Sequence, residues 1–210
     1  MPVVNSDQLV LLFERRLHEC LGHRLFQREE EIRVVLVGTL LELGVDLAHI
    51  WPEYPLVFEN GRFIDLIVDS FPHEDSLAFE IKYERSRDQD YQPGAATGPV
   101  AKDIMRLAAV HAHQRRRCFF ILLMDDEAHA ALARAQPGVG TLLSLAKGAT
   151  RTFDWTTLKP DQDLTYLRAL DGIMNPCNIE CLSDCQVGNR HVLRVYRVSH
   201  TPDAVYDWAG

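Results

Sequence analysis

The chain is 210 residues long, 47% apolar, with a formal net charge of -8. That length fits one globular domain with room for an appended subdomain, and the apolar share is enough to fill a core. The acidic balance excludes a broadly basic nucleic-acid binder but leaves room for a nuclease, because metal-binding carboxylates add negative charge and basic residues can be local.

No run of about 18 apolar residues occurs, and the first residues lack a basic segment followed by an apolar one, so neither a membrane span nor a signal peptide is expected. The expected location is cytoplasmic. The five cysteines, Cys20, Cys118, Cys177, Cys181 and Cys185, lack the even spacing of a secreted disulfide framework, and thiols are expected.

In chain order, Ser6 to Cys20 has the apolar spacing of an amphipathic helix with Ser6 as N-cap, and Arg15 and Arg16 read as solvated charges on its outer part. Gln27 to Leu43 reads as a second helix stopped by Gly44, and Glu29, Glu30 and Glu31 in its first turn suit the helix dipole. Tyr54 to Phe58 reads as a short strand, and Glu59-Asn60-Gly61 turns it into the next one, since Asn-Gly is a strong tight-turn signal. Two strand-like runs follow, Gly61 to Asp69 and Leu77 to Tyr83, joined by the polar segment Ser70 to Ser76.

Beyond them, Tyr83 to Ala96 is charged and holds Pro93-Gly94, which predicts a loop. Arg85 and Arg87 there read either as phosphate contacts or as solvated charges. Pro99 is expected to open a helix to about His113, with Lys102 and Arg106 facing the same way. Arg115-Arg116-Arg117 leads into Cys118 to Met124, a continuous apolar run that fits a fully buried strand reached by a crossover. The arginines read as strand caps or as a phosphate contact. Glu127 to Ala135 predicts a helix broken by Pro137-Gly138, and Thr141 to Lys147 a further short one.

From Thr152 polar and aromatic residues mix, and then Ile179 to Gln186 and His191 to Val198 predict a hairpin around Gly188-Asn189. Cys177, Cys181 and Cys185 with His191 invite a zinc reading, but no Cys-x-x-Cys pair exists and alternation puts Cys181 and Cys185 on one strand face. The reading favoured is a hairpin that extends the sheet or forms an interface. No Gly-rich phosphate loop, Gly-x-Ser-x-Gly elbow or His-Glu-x-x-His occurs.

The two central runs carry the chemistry. Strand alternation puts Phe63, Asp65, Ile67 and Asp69 on one face and Ile64, Leu66 and Val68 on the other; Ala78, Glu80 and Lys82 share a face of the second run. Paired as a hairpin, the runs bring Asp65 across from Glu80, with Lys82 beside them. Two carboxylates that close repel unless a cation lies between them, and a hard divalent ion such as magnesium prefers oxygen ligands.

At Asp65 and Glu80-Ile81-Lys82 the chain resembles the PD-(D/E)XK nuclease superfamily, with Ile64 standing where the signature has proline. The resemblance covers about Glu29 to Asp126. It implies an α/β restriction-endonuclease-like fold, an αβββαβ core with a central mixed sheet flanked by helices, plus a C-terminal β-hairpin extension. The expected boundaries are 1–28 for an N-terminal helical segment, 29–150 for the nuclease core and 151–210 for the extension.

The implied activity is hydrolysis of phosphodiester bonds in nucleic acid, DNA favoured. Asp65, Glu80 and the Ile81 carbonyl would bind Mg2+, with Mn2+ able to substitute, and Lys82 would orient water or stabilise the transition state. A glutamate on the preceding helix completes the site in that family. Glu31 is the choice because Val35 and Gly38 continue its stripe toward the sheet, and Glu30 is the alternative. Lys102 and Arg106 are the implied substrate contacts, against a reading as surface charge. Many members of the superfamily cut duplexes as dimers, so a homodimer or partner subunit fits the resemblance. Two other readings stay open: an inactive nuclease-fold module for nucleic-acid binding or assembly, and a purely structural ion-pair cluster.

Overall fold

A computed structural model describes residues 3–23, 28–56, 63–70, 75–86, 93–134, 139–154 and 176–201. Helix α1 spans Ser6–His23 and α2 spans Glu29–Glu42, ending at Leu43 where Gly44 takes φ 84°. Only glycine adopts that left-handed value without strain, which is why the helix stops there. Strands β1 (Ile50–Pro55), β2 (Phe63–Val68) and β3 (Leu77–Glu84) precede α3 (Pro93–Gln114) and β4 (Arg117–Asp125). Helices α4 (Asp126–Arg134) and α5 (Val139–Leu143) then lead to β5 (Thr150–Phe153), β6 (Cys177–Val187) and β7 (His191–His200).

The strands form one seven-stranded mixed sheet in the order β1-β2-β3-β4-β7-β6-β5, flanked by helices. β3 and β4 are parallel, joined through α3, and the other described pairings are antiparallel. The C-terminal hairpin extends the sheet because β7 docks along the free side of β4, with Cys118 opposite Val198 and Asp125 opposite His191.

Each sheet face has its own core. Cys118, Phe120, Leu122 and Met124 of β4 pack with Ile104, Ala108 and Leu132 on the α3 and α4 side. Phe119, Ile121 and Leu123 pack with Phe13, Leu17 and Leu36 on the α1 and α2 side. β4 is therefore buried on both faces, the reason its sequence is apolar without interruption. Arg194 of β7, buried, donates to the Leu145 carbonyl at 2.8 Å and the Leu143 carbonyl at 2.5 Å, fixing the end of α5 to the sheet. Cations are stabilised at helix C-termini by those unpaired carbonyls.

Several elements differ from their expected bounds. α3 begins at Pro93, inside the segment expected to be a loop, and Pro99 lies within it. A proline at the first helical position gives up no hydrogen bond, and Ala95 and Ala96 carry the helix on toward the buried run from Val100. β1 starts four residues before Tyr54 and stops at Pro55, and its turn to β2 lies outside the described residues. α5 ends at Leu143 and not at Lys147, and its last two carbonyls accept from Tyr196 at Leu142 and from Arg194 at Leu143. β5 carries no alternating pattern in sequence, and pairing with β6 defines it. Pro137-Gly138 and Arg87 lie outside the described residues.

Alternation also breaks at two places. Leu66 and Val68 pack toward α1 and α2, but Ile64 packs on the opposite side with Ile67. The break coincides with Glu53, which holds φ 51° where the β1–β2 pairing skips from Pro52–Leu66 to Tyr54–Ile64. In β6 a register shift between Cys181 and Ser183 turns Cys185 to the α1 and α2 side while Cys181 packs toward α3. The two cysteines therefore do not share a face. A bulge adds one residue and inverts every side chain after it.

Candidate active site

β2 pairs with β3 from Val68 and Leu77 to Leu66 and Phe79, and the described pairing stops there. Asp65, the next residue of β2, meets β3 with its side chain: Oδ2 accepts the Ile81 N–H at 2.7 Å. Alternate amides of a strand point to the same neighbour, so Ile81 and Tyr83 both aim at the place β2 has left. The Tyr83 N–H is taken by Glu29 Oε1 at 3.1 Å. Two carboxylates thus stand in for missing strand partners at this edge of β3.

Asp65 Oδ1 also accepts from Arg33 Nη2 at 3.0 Å, and Arg33 Nη1 is 3.6 Å from Glu53. Glu80, 3% exposed, accepts from Arg106 Nη1 at 2.7 Å, and the same nitrogen reaches Asp103 Oδ1 at 3.2 Å. Lys82 Nζ is 3.4 Å from Glu29 Oε1. The sheet end thus gathers Asp65, Glu80 and Lys82 with Glu29, Arg33, Asp103 and Arg106.

Electrostatics distinguish these groups. Burial, then the charges of Asp103 and Asp65, drive the Glu80 carboxyl well above the usual range against the pull of Arg106. Burial also lifts Asp103 to about 6, with Arg106 and Lys82 opposing and Asp65 and Glu29 assisting. Burial acts to lower the Lys82 ammonium, but Glu29, Asp103 and Glu84 outweigh it and its pKa stands above the ordinary lysine value. Lys82 is therefore a cation at neutral pH, suited to donate hydrogen bonds to negative oxygens and unsuited to act as a base.

The helix carboxylate at Lys82 is Glu29. Glu31 turns back on its own helix, its Oε2 accepting the Arg28 N–H at 3.2 Å, and Glu30 is exposed. A Cβ on Gly38 would lie 2.9 Å from Arg16 Nη1, so its small size makes room for α1 and not for the sheet. Arg16, with Arg15, pairs Glu42 across α1 and α2. Arg106 is buried and faces Glu80 in place of solvent, and Lys102 is partly buried. Asp103 and Arg33 were not singled out from sequence; Asp103 lies one turn before its partner Arg106, and Arg33 one turn after Glu29 on the same face of α2.

The remaining candidates have packing partners. Arg116 lies over the Tyr54 ring at 5.4 Å and 3.3 Å from Asp69, while Arg117 Nη1 donates to the Val4 carbonyl at 2.8 Å. Arg85 lies 5.5 Å over the Tyr83 ring. His191 Nε2 meets the Tyr83 hydroxyl at 3.0 Å, and Cys177 and Cys181 are buried free thiols. Burial raises both thiols, Cys177 to about 12.

Among the described residues no three His, Cys, Asp or Glu side chains gather as a metal-holding group, and no helix is long and apolar enough to cross a membrane. No family model, curated protein or solved structure matches this chain.

Proposed function

We propose that the protein is a nuclease that hydrolyses phosphodiester bonds in nucleic acid, with DNA the favoured substrate and Mg2+ or Mn2+ the cofactor. The observation that carries the reading is that Asp65 reaches the Ile81 amide, between Glu80 and Lys82, where β2 parts from β3, close enough for its charge to act on Glu80. The order α2-β1-β2-β3-α3-β4, with three antiparallel strands and a parallel fourth, supports it as the order that the PD-(D/E)XK resemblance implies.

The residues fit a hard divalent cation in chemistry. The donors are carboxylate oxygens. Burial first, and then the charges of Asp103 and Asp65, push Glu80 toward its protonated form against the pull of Arg106. Added positive charge relieves that repulsion. Asp65, Glu80 and the Ile81 carbonyl would hold the ion, which when bound supplies an acidified water and charge neutralisation at the phosphate.

The chain's own groups do the rest. The Ile81 amide fixes the Asp65 carboxylate, Glu29 holds the Lys82 ammonium near the strand end, and Lys82 offers its protons to the oxygens on which charge develops. The test is cleavage of labelled single- and double-stranded DNA and RNA with Mg2+, Mn2+ or EDTA, wild type beside Asp65→Ala. Metal-dependent products missing from the variant are expected; absence of both products and binding with every substrate overturns the reading.

The Arg33–Asp65 and Arg106–Glu80 pairs favour a second reading, a nuclease-fold module that binds nucleic acid or assembles without cutting. It predicts binding with no cleavage under any metal.

A further inference from the structure

We infer that Asp103 is a positioning residue that retains Arg106 when Glu80 turns to a cation, so that the Asp103–Arg106 pair of α3 serves Glu80 as an exchangeable counter-ion. The inference rests on the metal-dependent reading above.

Arg106 and Glu80 are both buried, with side chains 8% and 4% exposed. A buried charge deprived of its partner is strongly unfavourable, so a guanidinium that simply lost Glu80 to a divalent ion would oppose that ion's entry. Asp103 removes the obstacle. Its Oδ1 already shares Nη1 of Arg106 with Glu80, at 3.2 Å against 2.7 Å. It sits on the same helix, three residues before Arg106, so the backbone keeps the two together whatever Glu80 does. Glu80, by contrast, belongs to β3, opposite Phe120 of β4, and reaches Arg106 across the sheet–helix boundary through that contact. In the cation-free protein Arg106 supplies the positive charge that Glu80 requires. Once an ion supplies it, Arg106 remains on Asp103 and neither charge is stranded.

A plain electrostatic role for Asp103 makes a different prediction. If Asp103 only adds negative charge, or binds the ion itself, its loss weakens binding whether or not Arg106 is present. If it acts through Arg106, its loss matters only while Arg106 is there. A double-mutant cycle separates the two.

The experiment is calorimetric titration of the full chain with MnCl2, with melting temperatures taken on every variant. Asp103→Asn is expected to weaken Mn2+ binding at least tenfold, whereas Arg106→Met and Arg106→Met/Asp103→Asn bind alike within twofold; Arg106→Gln replaces Met if the latter does not fold. Mn2+ binding by Asp103→Asn equal to wild type overturns the inference and leaves the metal site standing. An equal loss on adding Asp103→Asn to the Arg106 variant also overturns it. A wild type that binds no Mn2+ removes the metal-dependent reading itself, and this inference with it.

Discussion

Asp65 accepts the amide hydrogen of Ile81 at 2.7 Å, and so replaces the strand that β2 no longer supplies to β3. One carboxylate thereby closes the sheet and faces Glu80. Asp65→Ala leaves the Ile81 amide and Arg33 without that acceptor, an effect of about 1–3 kcal/mol on stability. Asp65→Asn, which keeps an acceptor oxygen, is expected to lose less. Urea unfolding measures both, and an Ala variant as stable as wild type contradicts this structural role.

Lys82→Ala should abolish cleavage and leave Mn2+ binding largely intact. Because the carboxylates around Lys82 hold its pKa above the ordinary lysine value, the ammonium's favourable contribution is complete below about pH 10.4 and is lost only as pH rises through the higher folded value. The rate should therefore show no rise near pH 8 that depends on Lys82 losing a proton. Such a rise, absent from Lys82→Arg, would mark it as a base.

The acid side runs the other way. Burial raises the Glu80 and Asp103 carboxyls, so the folded protein binds protons more readily than the unfolded chain; for Asp103, lifted to about 6, the stability is present below about pH 4 and is lost as pH rises through about 6, and Glu80 acts in the same direction. On going from pH 8 to pH 5 Asp103 should add on the order of 1 kcal/mol. Asp103→Asn should gain less over the same interval. Unfolding curves at the two pH values decide this, and an unchanged pH response in the variant counts against it.

A ligand that binds only the folded state raises the melting temperature. At a hundred times its Kd, Mn2+ adds about 2.7 kcal/mol, and the shift for a chain of this size is roughly 5–10 °C. Wild type should move and Asp65→Ala should not. Equal shifts would place the ion elsewhere.

Arg194→Met removes the donors to the Leu143 and Leu145 carbonyls and the 3.1 Å contact with Asp184. A loss of about 2–4 kcal/mol is expected, since a buried network is broken from one side. Arg194→Lys should not restore it, because one ammonium cannot reproduce the planar fork. Recovery in the lysine variant would show that charge alone suffices.

Much of the sheet was legible because the apolar pattern of a strand, alternating or continuous, is a local property. Leu77 to Tyr83 and Cys118 to Met124 each carry the apolar pattern of their strand, and Asp65 and Glu80-Ile81-Lys82 stand out against it. What was not legible depends on contacts distant in sequence. Glu29 reaches the site because α2 starts at that residue and points its first turn at β3, whereas helical spacing alone favoured Glu31. Arg33 matters through Asp65 and Glu53, and Asp103 through Glu80 and the Arg106 nitrogen they share. The face of Cys185 turned on one extra residue in β6, and that of Ile64 changes where the β1–β2 pairing is interrupted at Glu53, which no periodicity records.

The position of β4 also has a consequence for synthesis. Its second edge is closed by β7, which begins at residue 191, long after β4 ends at Asp125. While a ribosome makes the intervening chain, a strand apolar on both faces offers an unpaired row of amides and carbonyls to any neighbour. Chains cut short before Cys177 should therefore aggregate, and the rate at which the β6–β7 hairpin arrives should limit the yield of native protein.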